Sequence, residues 1–84
     1  MPRMLYFSTP TCGPCKMFKP IVQQVSAETG ININYIDATL DPTTAQQFNV
    51  SVVPTIIILG ENGQAIKRHS GVMSKPQLKQ FLNL

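Results

Sequence analysis

The sequence predicts an α/β domain in which four strands form a mixed sheet flanked by three helices, in the order βαβαββα. Three observations lead there. Apolar or alternating runs of strand length are separated by segments of helical periodicity, the pattern of strands linked through helices. The last two strand-like runs are joined only by Gly60-Glu61-Asn62-Gly63, whose Asn-Gly pair signals a tight hairpin. Of the 84 residues, 43% are hydrophobic and 13% charged, which suits a single domain over 1–84 with one well-filled core.

Each element has its own signal. Arg3 to Ser8 reads as a buried strand, because Met4, Leu5, Tyr6 and Phe7 are consecutive and apolar. Ser8-Thr9-Pro10-Thr11 is the turn that leaves it. From about Cys12 to Thr29, residues Met17, Phe18, Ile21, Val22 and Val25 recur on one helix face. Pro14 suits the first turn, where a missing N–H is no loss. Pro20 lies inside and is expected to kink the helix. Gly30 is the stop. Ile31 to Asp37 alternates as a strand. Asp41-Pro42 caps and opens a short helix through about Phe48. Thr55 to Leu59 is β-branched and apolar, a central strand, and Gln64 to His69 returns from the hairpin. Ser74-Lys75-Pro76-Gln77 is a capping box for the last helix, whose stripe is Leu78, Phe81 and Leu82. The first two strands, joined through a helix, should be parallel with a right-handed crossover. The last two should be antiparallel.

The chemistry concentrates at Cys12-Gly13-Pro14-Cys15, the only cysteines present. Their spacing lets one thiol attack a foreign disulfide and the other resolve the mixed disulfide that forms. Cys12 falls at the N-terminus of the long helix, where unpaired N–H groups and the positive dipole end favour a thiolate. Lys16 adds a positive charge one turn on. Gly13 admits a partner close to the sulfur, and Pro14 stiffens the loop. Cys15 lies deeper. Cys12 is therefore the expected nucleophile and Cys15 the resolving thiol.

Other readings of the pair are weaker. A zinc site wants four ligands, and only His69 offers a further one of the usual type. A Cys-based phosphatase would want an arginine closing the loop, and none follows Cys12 before Arg68. The net charge of +3 comes from scattered residues, with Lys67-Arg68-His69 the densest patch, so no nucleic-acid footprint is expected. Met1-Pro2-Arg3-Met4 leads directly into strand-like sequence, with no leader pattern and no membrane span. The expected setting is cytoplasmic, with a monomeric chain and no bound metal or cofactor beyond a reversible Cys12–Cys15 disulfide. Val53-Pro54-Thr55 is the second signal. Proline donates no ladder hydrogen bond, so one opening a central strand is unusual. A cis Val53–Pro54 bond at the strand's start reconciles the two.

Cys-Gly-Pro-Cys-Lys at 12–16, Pro20, Asp37, Val-Pro-Thr at 53–55, Asn62-Gly63, Gly71 and Ser-Lys-x-Gln-Leu-Lys-x-Phe-Leu at 74–82 together resemble thioredoxin, over essentially the whole chain. The resemblance implies a minimal thioredoxin-like fold and reduction of protein disulfides, ribonucleotide reductase being one candidate substrate. Recharging would come from a flavin-dependent thioredoxin reductase. It implies that Pro54 is cis and faces the disulfide, that the Val53 backbone bonds an extended substrate, and that Gly71, with Val72 beside it, belongs to the docking surface. The sequence also departs from the family pattern. It begins at what resembles the family's second strand. Thr11 and Ser8 stand where tryptophans are usual. Tyr6 replaces a buried aspartate, and Ile33 its lysine partner. The proton acceptor for Cys15 is then left to Asp37, to Tyr6 or to water. Two alternatives stay open: a glutaredoxin-like carrier, against which the apolar Ser70-Gly71-Val72-Met73 segment argues, and a thioredoxin-fold accessory subunit with incidental redox activity.

Overall fold

A computed structural model describes residues 3–83. The leader reading at Met1 and Pro2, and the chain end at Leu84, lie outside the described residues. Strand β1 spans Arg3–Ser8, helix α1 Gly13–Thr29 and strand β2 Asn32–Asp37. Helix α2 follows over Pro42–Gln47, then the hairpin strands β3, Thr55–Leu59, and β4, Ala65–Ser70, and helix α3, Lys75–Phe81. The sheet order is β2-β1-β3-β4, with β1 parallel to β2 and antiparallel to β3, and β3 antiparallel to β4. The mixed sheet and the βαβαββα order match the sequence reading.

The consecutive apolar run of β1 serves two cores at once, because successive side chains point to opposite faces. Met4 and Tyr6 join Phe18, Val22 and Val25 of α1, Ile56 of β3 and Leu78 of α3 on one face. Leu5 and Phe7 join Ile57, Leu59 and Ala45 of α2 on the other. Helices α1 and α3 thus cover one face and α2 the other. Glu28 near the end of α1 pairs with Lys75 and Lys79 of α3, fastening the two helices together.

Helix α1 continues as one element through Pro20, with the proline inside it as the sequence predicts. Proline at this position removes only the partner of the Lys16 carbonyl, and both residues face solvent, where water can serve. Met17 is 70% exposed rather than part of the apolar face. The core claims the narrower stripe of Phe18, Val22 and Val25, and Met17 flanks it. Strand β2 starts at Asn32 and β4 at Ala65, each one residue later than read. The Gln64 carbonyl accepts the Gly60 N–H at 2.8 Å and so closes the turn. Gly63 sits at φ 79°, while Asn62 keeps a negative φ.

Candidate active site

The disulfide joins Cys12 and Cys15 across a Cα–Cα distance of 5.2 Å at the N-terminus of α1. Cys12 is the N-cap, with extended backbone, and its sulfur accepts the N–H of Cys15 at 3.1 Å. A sulfur therefore fills the role that a serine oxygen usually plays at a helix start. Pro14 occupies the first turn, as read. Cys12 is half-buried and Cys15 only 3% exposed, so an incoming group reaches Cys12 first. Gly13 has nothing within 4 Å of where a Cβ would lie, leaving open space beside the sulfur. Lys16 is exposed on the next turn.

The Val53–Pro54 peptide is cis, as the sequence predicts. The Val53 carbonyl lies 3.8 Å from the Cys12 sulfur, so the loop between α2 and β3 faces the disulfide directly. Contacts from three residues fix this loop. Thr55 Oγ1 donates to the Val52 carbonyl at 2.7 Å and lies 2.9 Å from Ser70 Oγ. The Gly71 N–H donates to the Pro54 carbonyl at 2.9 Å, with Gly71 itself at φ 102°. From β4, Arg68 donates to the carbonyls of Phe48 at 2.8 Å and Asn49 at 3.2 Å, where the chain leaves α2. Val52 within this loop and Val72 just after Gly71 are exposed apolar residues. The sequence marks Thr55 only as the end of the Val53-Pro54-Thr55 signal and Arg68 only as part of a basic patch, and gives neither this bonding role. The only available hint was one polar residue opening an otherwise apolar strand.

Beneath the disulfide, Tyr6 is fully buried and its hydroxyl donates to the Cys15 carbonyl at 2.9 Å. Burial, with a smaller contribution from Tyr35, pushes its phenol above the usual tyrosine range. Asp37 lines a cleft of about 350 Å³ together with Tyr6, Cys15, Lys16, Lys19 and Tyr35. Its Oδ1 accepts both the hydroxyl of Thr39 at 2.6 Å and the Thr39 N–H at 2.8 Å. These bonds, the hydroxyl's foremost, hold its carboxyl below the usual range. His69 packs edge-on against Phe81, 6.1 Å between centroids. Among the described residues no group of three or more His, Cys, Asp or Glu is placed to hold a metal ion. No described helix is long and apolar enough to cross a membrane.

A mixed sheet that presents a two-cysteine disulfide at a helix N-terminus, opposite a cis-proline, defines a thiol–disulfide oxidoreductase. The family description Thioredoxin matches residues 1–84. A thioredoxin of Haemophilus influenzae is 33% identical over 85 residues, covering 99% of this chain and 78% of that protein. One of Mycolicibacterium smegmatis is 35% identical over 86 residues, covering 98% and 76%. Among solved structures, thioredoxin 1 of Thermosipho africanus superposes with a TM-score of 0.85 at 30% identity, over 96% of this chain and 90% of that one. A variant thioredoxin of Halobacterium salinarum shares the fold with a TM-score of 0.90 at 24% identity, over 98% and 72%. The chain belongs to the thioredoxin family.

Proposed function

We propose that this chain is an electron carrier that reduces disulfides in extended segments of target proteins. The Cys12 thiolate attacks one target sulfur. A Cys12–target bond forms, the target disulfide breaks, and the second target sulfur leaves as a thiolate. Cys15, after losing its proton, attacks the Cys12 sulfur. The Cys12–Cys15 disulfide forms and the first target sulfur leaves. Two electrons pass to the target, and a flavin-dependent reductase returns them to the carrier. The reduced Cys12/Cys15 dithiol itself carries the two electrons and becomes the disulfide on giving them up, so no bound cofactor is required, and a reducing cytoplasmic setting suits this direction of flow.

The observation that carries the assignment of roles is the capping bond from Cys15 N–H to Cys12 Sγ. A thiolate at that atom keeps the N–H donor and gains the helix dipole, which lowers a thiol's pKa from about 8.5. The loop from Val53 to Thr55, together with Gly71 and Val72, supports the reading of a docking strip beside Cys12. The test is reduction of insulin disulfides with dithiothreitol or with NADPH and a thioredoxin reductase as electron source. Wild type should turn over. Reduced Cys15→Ser mixed with insulin without dithiothreitol should stall as a covalent Cys12–target adduct, visible as a mass increase that added dithiothreitol reverses. Absence of both turnover and adduct would sink the reading. A Cys12→Ser, Cys15→Ser double variant that keeps the chain's cellular role would favour the accessory-subunit alternative.

A further inference from the structure

We propose that Tyr6 is a positioning residue for the resolving thiol, acting through its hydrogen bond to the Cys15 carbonyl and not as a proton acceptor. The inference rests on the dithiol cycle proposed above.

Tyr6 stands on the inner strand β1, paired with Tyr35 of β2 on one side and Ile56 of β3 on the other. Its ring packs against Phe18 at 5.9 Å and Tyr35 at 5.7 Å between centroids. The ring is therefore held between α1 and β2, and its hydroxyl reaches α1 at the one residue that carries the second sulfur. A carbonyl oxygen only accepts, so the phenol is the donor in this bond. Losing that proton would set a phenolate against the carbonyl oxygen in a buried site. Burial already disfavours the phenolate.

The carbonyl and the sulfur of Cys15 hang from the same Cα. Restraining the peptide plane after Cys15 restrains rotation about its Cα–C bond, and with it the direction in which the Cβ that carries the sulfur leaves the backbone. Resolution needs that direction, because the Cys15 thiolate must meet the Cys12 sulfur in line with the bond it breaks. The sheet thus holds the second sulfur in register with the first, through a contact spanning nine residues of sequence. The titrating and charged groups nearest this corner are Lys16 and Lys19 on α1 and Tyr35 and Asp37 on β2, which line the same cleft. Removal of the Tyr6 hydroxyl leaves all four in place.

The experiment reacts the reduced protein with 5,5′-dithiobis(2-nitrobenzoate) in a stopped-flow instrument. Attack by Cys12 releases one thionitrobenzoate at a rate set by reagent concentration. Resolution by Cys15 releases a second at a rate independent of it. In Tyr6→Phe, the first phase should be unchanged. The second should slow about three- to tenfold at every pH, the loss of one hydrogen bond, with its pH midpoint unmoved. An unchanged second phase overturns the positioning role while leaving the cycle intact. A moved midpoint assigns Tyr6 to proton transfer and overturns it equally. Absence of any second, concentration-independent phase in wild type would instead overturn the dithiol cycle. Should Tyr6→Phe fail to fold, 3-fluorotyrosine in a Tyr35→Phe background serves. Its more acidic phenol is a better donor and a poorer base, so the second phase should be as fast or faster. A slower one overturns the proposal.

Discussion

The N–H of Gly71 donates to the carbonyl of Pro54, 2.9 Å away, so the exit of β4 and the entry of β3 are tied together beside the disulfide. The bond needs Gly71 at φ 102°, where an L side chain is strained although no atom stands in its way. Gly71→Ala should cost about 1–2 kcal/mol of stability. It should also raise KM for insulin reduction more than it lowers kcat, since the loop moves and the sulfurs do not. Urea unfolding and steady-state kinetics check both. An unchanged unfolding midpoint would contradict the strain argument.

Arg68 reaches the other end of the same loop. Its guanidinium spans two carbonyls, those of Phe48 and Asn49, and Asn49 lies at φ 56°. Arg68→Ala should destabilise by about 1–2 kcal/mol, the lower range for charged hydrogen bonds at an exposed site. Arg68→Lys should recover little, because a single ammonium cannot span both acceptors as a planar fork does. Full recovery by lysine would show that charge alone matters here.

How much of this was legible beforehand depends on sequence distance. Cys12 and Cys15 announce themselves by spacing, and Asp41 and Ser74 announce helix starts because capping is local. The structure places both caps, with Asp41 accepting from Thr44 and Ser74 exchanging bonds with Gln77. Tyr6 was legible as buried, but Met4 to Phe7 is apolar throughout, so nothing in the run says which face each residue serves. Its partner becomes visible only once α1 lies across the sheet. Arg68 is hidden for the same reason: its acceptors are backbone atoms 19 and 20 residues away, and backbone atoms leave no mark in a sequence.

Asp37 is a candidate to take the proton of Cys15. Its carboxylate accepts from Thr39 and is held below the usual range, and we propose that this leaves it too weak a base for the role. Asp37→Asn should therefore change the resolution rate by less than about twofold, whereas loss of a general base costs about a hundredfold or more. Single-turnover rates near neutral pH decide between the two. A hundredfold fall would restore Asp37 to the role.

Glu28, Asp37 and Asp41 are all depressed: Glu28 by Lys75 and then Lys79, Asp37 by Thr39 and Asp41 by Thr44. The unfolded chain thus binds these protons more tightly than the folded one. Their contribution is complete above the unfolded carboxylate range, about pH 4, and is lost as pH falls through the lower folded values. Melting temperature should decline below about pH 4, and less steeply in Glu28→Gln. A melting temperature that rises on acidification would reverse the assigned sign.

Because one sulfur is both helix cap and reagent, folding and chemistry place separate demands on position 12. Serine is among the best residues for starting a helix, so measured against the reduced protein Cys12→Ser should fold about as well while carrying no electrons. A screen that scores only folded yield would accept that change as neutral. Loss of the Cys12–Cys15 redox pair would go unseen by any assay that counts folded molecules.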